Sequence, residues 1–363
     1  MDVDPRHKQA STKRNSLINL ALLIFTCMFM LLSLEAAFRV RAYQMDKATH
    51  KKRDIMLDKF YKWDDATSPP ANALGPMIRP SSNDKIAFEM RPDLIGSYAG
   101  AEFRTNNVGF RGDSYAFEKP PGTIRIFGIG DSFMFGQGVA QEETYMSVLE
   151  KALNNKHNDR NWQTINSGVP DYNTYIELET LADKGLRFSP DVVILGFCKN
   201  DHELPALVRY MGMERELEAG KYLRNDISFL AMYIKYRLNP VLPDRPPLKN
   251  NHKYRGGFGA ITSSVQRLYA LQQQHGFDVV VLFIDPQKGD VENWFMDLSR
   301  ALNFHIVDME EDIRSYMKHN GISDYYNSEM TVQDKHPSAI VHEMTARRLL
   351  EYMERSGLIK GLY

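Results

Sequence analysis

The stretch TIRIFGIGDSFMFGQG, residues 123–138, places a serine shortly after an apolar run of strand length. The run TIRIFGI, residues 123–129, indicates a strand. Gly128 and Gly130 would let the backbone turn tightly where this strand ends. The pattern therefore predicts that Ser132 lies at the carboxyl end of a strand, which is the edge where open α/β sheets bind their ligands.

Four further apolar runs follow, and helical patterns separate them. The runs are QTIN (163–166), DVVILGF (191–197), DVVVLFI (278–284) and FHIVDM (304–309). The runs at 191–197 and 278–284 are almost continuous in Val, Ile and Leu, as expected for parallel strands covered on both faces. Helical patterns lie at residues 145–153, 174–185, 260–275 and 291–302. This alternation predicts a doubly wound α/β domain with a parallel sheet of about five strands.

The bulk composition excludes some classes of protein. The chain of 363 residues has a formal net charge of −1, and 25% of its residues are charged. A general nucleic-acid binder would carry a strong basic excess, so the sequence argues against that class. The two cysteines, Cys27 and Cys198, lie far apart and indicate neither a disulfide framework nor a cysteine-rich metal site. We expect no metal and no cofactor, because no His, Asp or Glu spacing fits a metal site.

Near the N-terminus, residues 17–34 (LINLALLIFTCMFMLLSL) form a segment without a charge. A helix rises 1.5 Å per residue, so about 20 apolar residues cross a hydrocarbon core of roughly 30 Å. We expect a transmembrane anchor over residues 16–38, preceded by a short tail at 1–15. A cleaved signal peptide is the alternative, although its apolar core is usually shorter and only Glu35-Ala36-Ala37 approaches a cleavage site. Basic residues flank the segment on both sides, so charge alone does not give its orientation.

The rest of the chain divides into a linker and one large domain. Residues 39–80 are expected to form a juxtamembrane stalk and linker, helical and basic at first, then broken by proline and glycine from residue 68 onward. Residues 81–363 are expected to form the α/β domain. Within it, residues 201–259 are too long for a simple crossover and form an insertion. The helical stretch at 227–238 in this insertion is either an extra core helix or a lid over the site.

The tripeptide Gly-Asp-Ser occurs twice, at residues 112–114 and 130–132. No apolar strand run precedes Ser114, which is expected to be a polar turn residue. Ser132 is either a nucleophile or a helix-capping hydroxyl. Its surroundings approach the dinucleotide fingerprint G-x-G-x-x-G, but Phe133 occupies the third glycine position. The G-x-S-x-G elbow is also missing, because Met134 stands at its last position.

The other predicted strand ends carry residues that suit acyl transfer. Gly168 follows the second run, Asn200 follows the third, and His336 precedes the final helical pattern. Together with Ser132, in this order, they resemble the SGNH, or GDSL-type, serine hydrolase superfamily. The resemblance extends over about residues 100–357, and it implies a three-layer α/β/α fold of the flavodoxin-like kind.

The stretch between residues 106 and 139, and Glu35 with Arg39 after the apolar segment, resemble the membrane-anchored bacterial branch of this superfamily. That branch implies a single-pass protein of the bacterial inner membrane with an extracytoplasmic catalytic domain. We therefore expect the membrane to be one partner of this chain.

The resemblance also implies a role for each site residue. Ser132 would be the nucleophile, His336 its general base, and Asp334 the acid that orients the histidine. The oxyanion hole would consist of the Ser132 N–H, the Gly168 N–H and the Asn200 side-chain amide.

Two positions depart from the family pattern. The acid normally precedes the histidine by three residues, where Gln333 stands here, whereas Asp334 precedes His336 by two. Residues i and i+2 of an extended segment project to the same side, so Asp334 is still expected to reach His336. Cys198 occupies the usual glycine position in the block that contains Asn200.

The predicted function is a serine esterase that acts through an acyl-enzyme, with a deacetylated cell-envelope glycan as the candidate product. An O-acyltransferase would use the same residues with a sugar hydroxyl in place of water, and the sequence does not separate the two. A third alternative is a non-catalytic partner in polysaccharide assembly. The expected substrate is an acylated carbohydrate or another ester, and nucleic acid is not an expected partner.

Overall fold

The computed structural model describes residues 5–61, 77–211, 219–224, 226, 228–238 and 254–359. The chain divides into two units. The first consists of Met1–Ile55 with Glu214–Pro243, and the second consists of Met56–Met213 with Asp244–Tyr363. The central part of the predicted insertion thus belongs to the unit of the N-terminal helix. The predicted proline and glycine break from residue 68 onward lies outside the described residues up to residue 76.

The secondary structure follows the alternation expected from the sequence. In the described chain the helices are α1 Pro5–Tyr61, α2 Ser132–Phe135, α3 Tyr145–Lys156, α4 Thr174–Asp183, α5 Ala206–Met211, α6 Phe229–Leu238, α7 Phe258–His275, α8 Asp290–Ala301, α9 Glu310–His319 and α10 Ala339–Arg355. The strands are β1 Ile78–Pro80, β2 Phe88–Met90, β3 Ile95–Tyr98, β4 Ala101–Arg104, β5 Thr123–Gly130, β6 Asn161–Asn166, β7 Val192–Gly196, β8 Asp278–Phe283 and β9 His305–Asp308.

The last five strands form one parallel sheet in the order β6-β5-β7-β8-β9. All five lie within two residues of the runs predicted from the sequence. Since β5 is the first strand of the sheet in the chain, the order reads 2-1-3-4-5, which is the flavodoxin-like arrangement. The strand order reverses between β5 and β7, so the carboxyl ends of these two strands flank the switch point where such sheets bind ligands.

Alternate residues of the sheet feed two separate cores, because successive side chains of a strand point to opposite faces. Ile126 and Ile194 face one core, which α3, α9 and α10 cover. Phe127 and Val193 face the other, which α4, α7 and α8 cover. The predicted three-layer α/β/α fold is therefore confirmed.

The other four strands form two antiparallel hairpins, β1 with β2 and β3 with β4. They contribute to a third apolar cluster, in which Phe103 of β4 packs against Phe135 of α2 with ring centroids 5.1 Å apart. This contact supports the short helix that follows β5.

Gly128 and Gly130 have a different role from the tight turn expected of them. Both lie inside β5, and neither has a positive φ. A Cβ on Gly128 would lie 2.6 Å from Met134 Sδ, and one on Gly130 would lie 2.6 Å from Met134 Cβ. Glycine is needed at Gly130 because α2 folds back closely over the end of the strand, whereas the atoms near Gly128 are the flexible ends of the Met134 and Met146 side chains.

The N-terminal apolar segment is part of one long helix. Helix α1 runs from Pro5 to Tyr61 without a further proline or a glycine, so no residue interrupts it. It contains an 18-residue window of mean hydropathy 2.5, and none of that window is buried within the protein. By length and composition this helix is able to cross a membrane, although a signal sequence would pass the same test. The predicted anchor and the first part of the predicted stalk thus form one continuous helix.

Candidate active site

The end of β5 and the start of α2 hold Ser132. Asp131 caps the helix, because its side chain accepts a hydrogen bond from the Phe133 N–H at 2.9 Å. Ser132 is the first residue of α2 and is 7% exposed. Helix α2 ends after four residues at Gly136, whose φ of 80° is the left-handed conformation that glycine favours.

Ser132 and His336 are in hydrogen-bond contact. The distance between Ser132 Oγ and His336 Nε2 is 2.8 Å, although the two residues are 204 positions apart in the chain. His336 lies in the turn just before α10, where its carbonyl accepts the Val332 N–H at 2.9 Å. The ring of Phe133 lies edge-on to the imidazole with centroids 5.4 Å apart. These contacts aim Nε2 at the serine hydroxyl.

Asp334 lies beside His336, but not in the way expected. The segment is bent rather than extended, because Lys335 between them has a φ of 70°. This bend brings Asp334 Oδ1 to 2.9 Å from His336 Nδ1. The direction of the Nδ1–H bond does not satisfy hydrogen-bond geometry, so this is a close contact that becomes an ion pair only when His336 is protonated. Catalytic hydrogen bonds are often poorly aligned before substrate binds.

Gln137 is a further member of this group that sequence reasoning missed. Its side-chain amide donates a hydrogen bond to Asp334 Oδ2 and leaves Oδ1 for the histidine. Gln137 follows Gly136, and Arg111 holds this turn by donating to the carbonyls of Phe135, Gly136 and Val139 at 2.6–2.7 Å. These bonds give Arg111 a structural role at this turn. No motif in the sequence pointed to Gln137, because its contact with Asp334 joins distant parts of the chain.

Asn200 is connected to Ser132 through the carboxylate of Asp131. Its side-chain Nδ2 donates to Asp131 Oδ2 at 2.9 Å, and Ser132 Oγ is 3.4 Å from the same oxygen. An asparagine amide carries two hydrogens, so this bond leaves the second one for a ligand. The Gly-Asp-Ser motif by itself indicates no role for Asp131. Here it positions Asn200, caps α2 and contacts Ser132.

Gly168 lies close to α2, but its N–H is engaged. This N–H donates to Asn166 Oδ1 at 3.0 Å, and the Asn166 amide in turn donates to the Met134 carbonyl at 2.8 Å. A Cβ on Gly168 would lie 2.4 Å from the backbone nitrogen of Phe135. In this structure, therefore, Gly168 permits close packing of α2, and its N–H would have to leave Asn166 to serve an oxyanion.

Several ionisable groups under the site are buried. Burial raises the pKa of Asp131, while the hydrogen bonds from Phe133 and Asn200 and the nearby His336 oppose this shift. Burial also raises the pKa of Asp201 and of Glu177 well above the usual range for carboxyl groups. These carboxyl groups favour the neutral form more than exposed ones do, because their charged forms have lost water.

Two further polar residues make structural contacts. Ser114 is exposed, and its hydroxyl accepts the Asn107 N–H at 3.3 Å, which agrees with the expected turn role. His342 is buried in α10 and stacks on Tyr145, whose N–H donates to its Nδ1 at 3.1 Å. Over the described residues, no three His, Cys, Asp or Glu side chains are grouped so that they could hold a metal ion.

Comparisons with known proteins give a similar fold but no family assignment. No protein-family model and no curated protein matches the chain. Among solved structures, a two-domain esterase active on acetylated mannans is similar with a TM-score of 0.42 and 16% identity, over 64% of this chain and 49% of that one. This chain thus spans about half of that protein.

Two smaller proteins are similar over almost their whole length. An acetyl xylan esterase has a TM-score of 0.41 and 16% identity, over 63% of this chain and 98% of its own. A catalytic mutant of an acetylxylan esterase from Geobacillus stearothermophilus has a TM-score of 0.40 and 14% identity, over 63% and 94%. These structural similarities, with their low TM-scores and sequence identities, support no conclusion about function. That conclusion has to come from the side chains around Ser132.

Proposed function

We propose that this chain is a serine esterase that forms an acyl-enzyme at Ser132. The observation that carries the proposal is the 2.8 Å contact between Ser132 Oγ and His336 Nε2. A serine hydroxyl is a weak nucleophile until a neighbouring base accepts its proton. Asp334 Oδ1, 2.9 Å from His336 Nδ1, supplies the negative charge that favours the imidazolium formed when the proton moves.

The reaction has two halves. In the first, Ser132 Oγ attacks the ester carbonyl carbon while His336 Nε2 accepts the hydroxyl proton. His336 then returns that proton to the leaving alcohol oxygen as the ester C–O bond breaks, which leaves the acyl group on Ser132. In the second half a water molecule gives its proton to His336 and attacks the acyl carbon. The acid leaves, and the proton returns to Ser132 Oγ.

Each half passes through a tetrahedral oxyanion that needs hydrogen-bond donors. The Ser132 N–H is suited to this role, because the first N–H groups of a helix have no acceptor inside it. We propose the second amide hydrogen of Asn200 as the second donor. Gly168 is the third donor of the proposal, and its bond to Asn166 makes it the one that requires a rearrangement.

We propose an acylated carbohydrate of the cell envelope as the substrate class and α1 as an uncleaved anchor in a bacterial inner membrane, with an extracytoplasmic catalytic unit. The apolar window of α1 supports the anchor, since none of it is buried within the protein. The sequence resemblance to the membrane-anchored branch supports the substrate class and the compartment.

Labelling with a fluorophosphonate probe tests the nucleophile, because the probe reacts with an activated serine. We expect labelling of the full chain in detergent and its loss in Ser132→Ala. Ser114→Ala is the matched control, since this serine belongs to the other Gly-Asp-Ser tripeptide and is exposed. Full labelling of Ser132→Ala would assign the nucleophile elsewhere.

Product analysis separates hydrolysis from transfer, which share the acyl-enzyme. A short acyl ester is incubated with the protein, with and without a soluble sugar acceptor, and both free acid and acylated sugar are measured. An esterase releases acid at the same rate with or without the acceptor. Acylated sugar formed at the expense of free acid would instead identify an O-acyltransferase.

A further inference from the structure

The insertion binds helix α1 just beyond its apolar segment. Glu35 is the first charged residue after Leu34, and its carboxylate accepts three hydrogen bonds from the start of α6. The donors are Ser228 Oγ at 2.9 Å, the Phe229 N–H at 3.0 Å and the Leu230 N–H at 3.0 Å. A carboxylate is well placed there, because helix N-termini carry unpaired N–H groups and a partial positive charge. Glu35 therefore caps α6 from another element.

Arg39, one turn further along α1, holds the segment that leads into α6. Its guanidinium donates to the carbonyls of Tyr222 and Arg224 at 2.8 and 2.9 Å, and to Glu35 at 2.8 Å. It also lies 5.5 Å from the centroid of the Phe229 ring. Glu35 and Arg39 thus act together on one piece of the insertion.

Aromatic contacts and one more hydrogen bond extend this joint along α1. The Tyr222 hydroxyl donates to Asp46, and the Tyr222 ring lies edge-on to Tyr43 with centroids 5.4 Å apart. Tyr233 of α6 contacts Phe38 with centroids 4.8 Å apart. Signal-peptide cleavage near Ala37 would separate Glu35 from the rest of this joint. The joint therefore favours an uncleaved α1.

Part of α6 remains apolar and exposed. Met232, Tyr233 and Ile234 are 42–45% exposed in succession on this helix. Soluble helices usually bury such residues against a core. Glu35 caps α6 and Phe38 contacts Tyr233, so these side chains lie about one turn beyond the end of the apolar segment of α1, close to where a spanning helix meets the membrane–water boundary.

We propose that α6 is an interfacial helix that binds the lipid surface through Met232, Tyr233 and Ile234. Apolar and tyrosine side chains at the end of a span are suited to the boundary between headgroups and acyl chains. The Glu35–Arg39 pair would fix α6 at this depth. The proposal rests on α1 spanning the membrane, and it is independent of the chemistry at Ser132.

The test uses the full chain in lipid vesicles, with a fluorescent label on single cysteines. The background is Cys27→Ser with Cys198→Ala, and the labelled variants are Leu23→Cys, Ile234→Cys and Ile55→Cys. Ile55 is the matched control, because it is 45% exposed like Ile234 but lies on α1. It is 20 residues beyond Glu35, or about 30 Å along the helix. Lipids brominated near the glycerol end of the acyl chain quench labels at the interface, and lipids brominated near its methyl end quench labels in the middle of the bilayer, such as one at 23.

We expect the labels at 23 and 234 to lose most of their emission in brominated vesicles and the label at 55 to keep it. Quenching at 23 without quenching at 234 would overturn the proposal, and a blue shift at 234 without quenching would assign a second protein copy instead of lipid. Equal quenching at 234 and 55 would also overturn it, because α1 would then lie along the surface. No quenching at 23 would refute the span, whereas ester turnover by the same protein reports on Ser132 separately.

A second variant tests the joint itself. Glu35→Gln, which removes the charge that caps α6, is added to the Ile234→Cys protein and separately to the Leu23→Cys protein, whose label monitors the span. We expect quenching at 234 to fall by more than half and quenching at 23 to stay the same. Unchanged quenching at both positions would show that Glu35 does not set the depth of α6.

Discussion

At the scale of single residues, the site depends on the bend at Lys335. This residue has a φ of 70°, a left-handed conformation that costs a side chain about 1–2 kcal/mol. Such conformations persist where the surrounding structure imposes them, and they are frequent at functional sites. Here hydrogen bonds on both sides impose the bend, from the Lys335 N–H to the Val332 carbonyl and from the Val332 N–H to the His336 carbonyl, each at 2.9 Å. The bend places Asp334 against the imidazole.

The acid role of Asp334 is tested by Asp334→Asn. We expect kcat for a short acyl ester to fall by about 10²–10⁴, because the amide no longer stabilises the imidazolium or selects its tautomer. KM should change little. Gln333→Ala is the matched control, since Gln333 is exposed and occupies the usual position of the acid. A larger loss in Gln333→Ala than in Asp334→Asn would contradict the assignment.

The bend itself is tested by two substitutions of Lys335. Glycine adopts a positive φ without penalty, so Lys335→Gly should keep kcat within about threefold of the wild type. Isoleucine is β-branched and resists this conformation, so Lys335→Ile should lower kcat by about tenfold or more. Equal activity of the two variants, measured on the same ester, would mean that the left-handed turn is not required.

At the scale of elements, the joint between β5 and α2 is tightly packed. The helix has only four residues and folds back over the strand end, where Gly128, Gly130 and Gly168 leave room for it. Arg111 stabilises the turn after α2 by donating to the carbonyls of Phe135 and Gly136. This packing holds Ser132 in a fixed place, because a carbon added at Gly130 or Gly168 meets Met134 Cβ or the Phe135 backbone nitrogen, which cannot easily move.

Gly168→Ala should destabilise this joint. The new Cβ would lie 2.4 Å from the Phe135 backbone nitrogen, which belongs to α2 and cannot rotate away. We expect a loss of about 1–3 kcal/mol in the free energy of unfolding, measured by urea denaturation, together with a lower kcat. Gly259→Ala is the control, because nothing lies within 4 Å of its Cβ position in α7. An unchanged free energy of unfolding in Gly168→Ala would show that α2 shifts freely.

At the scale of the whole molecule, folding buries ionisable groups and shifts their pKa values, because burial disfavours their charged forms. Burial, and to a smaller extent the charge of Arg111, lowers the pKa of His342 from 6.5 to about 3. Burial and the nearby Asp201 raise the pKa of Glu177 well above its usual value of 4.5. His342 therefore lowers stability as the pH falls from 6.5 towards 3, since the unfolded chain binds the proton more readily. Glu177 lowers stability as the pH rises above its usual pKa, since the folded protein retains a proton that the unfolded chain releases.

Glu177→Gln isolates the carboxyl part of this balance. The folded protein retains a proton on Glu177 that the unfolded chain releases above about pH 4.5, so wild-type stability should fall as the pH rises from that value. Neither side-chain oxygen of Glu177 has a hydrogen-bond partner in the described structure, and an amide of the same shape is never ionised. We expect the stability of the variant relative to the wild type, measured by urea denaturation, to increase as the pH rises above about 4.5. The exposed Glu343→Gln should show no such trend, and an equal trend in both would refute this explanation.

The sequence by itself determined the local structure of this protein. Strand and helix patterns depend on nearby residues, so the five sheet strands, the long apolar helix and the helix at 229–238 could all be read from them. The sequence also indicated Ser132, Asn200 and His336, because each follows or precedes an element at one edge of a doubly wound sheet. What these residues catalyse remains a proposal.

Only the tertiary structure decided how distant segments meet. The two-residue spacing of Asp334 and His336 suggested an extended segment, but a left-handed Lys335 brings them together, and Gln137 reaches Asp334 across 197 positions. Glu35 caps a helix that begins nearly two hundred positions later, at 229. Such contacts leave no local pattern, because they depend on the packing of whole elements and on the hydrogen bonds that buried polar groups must find.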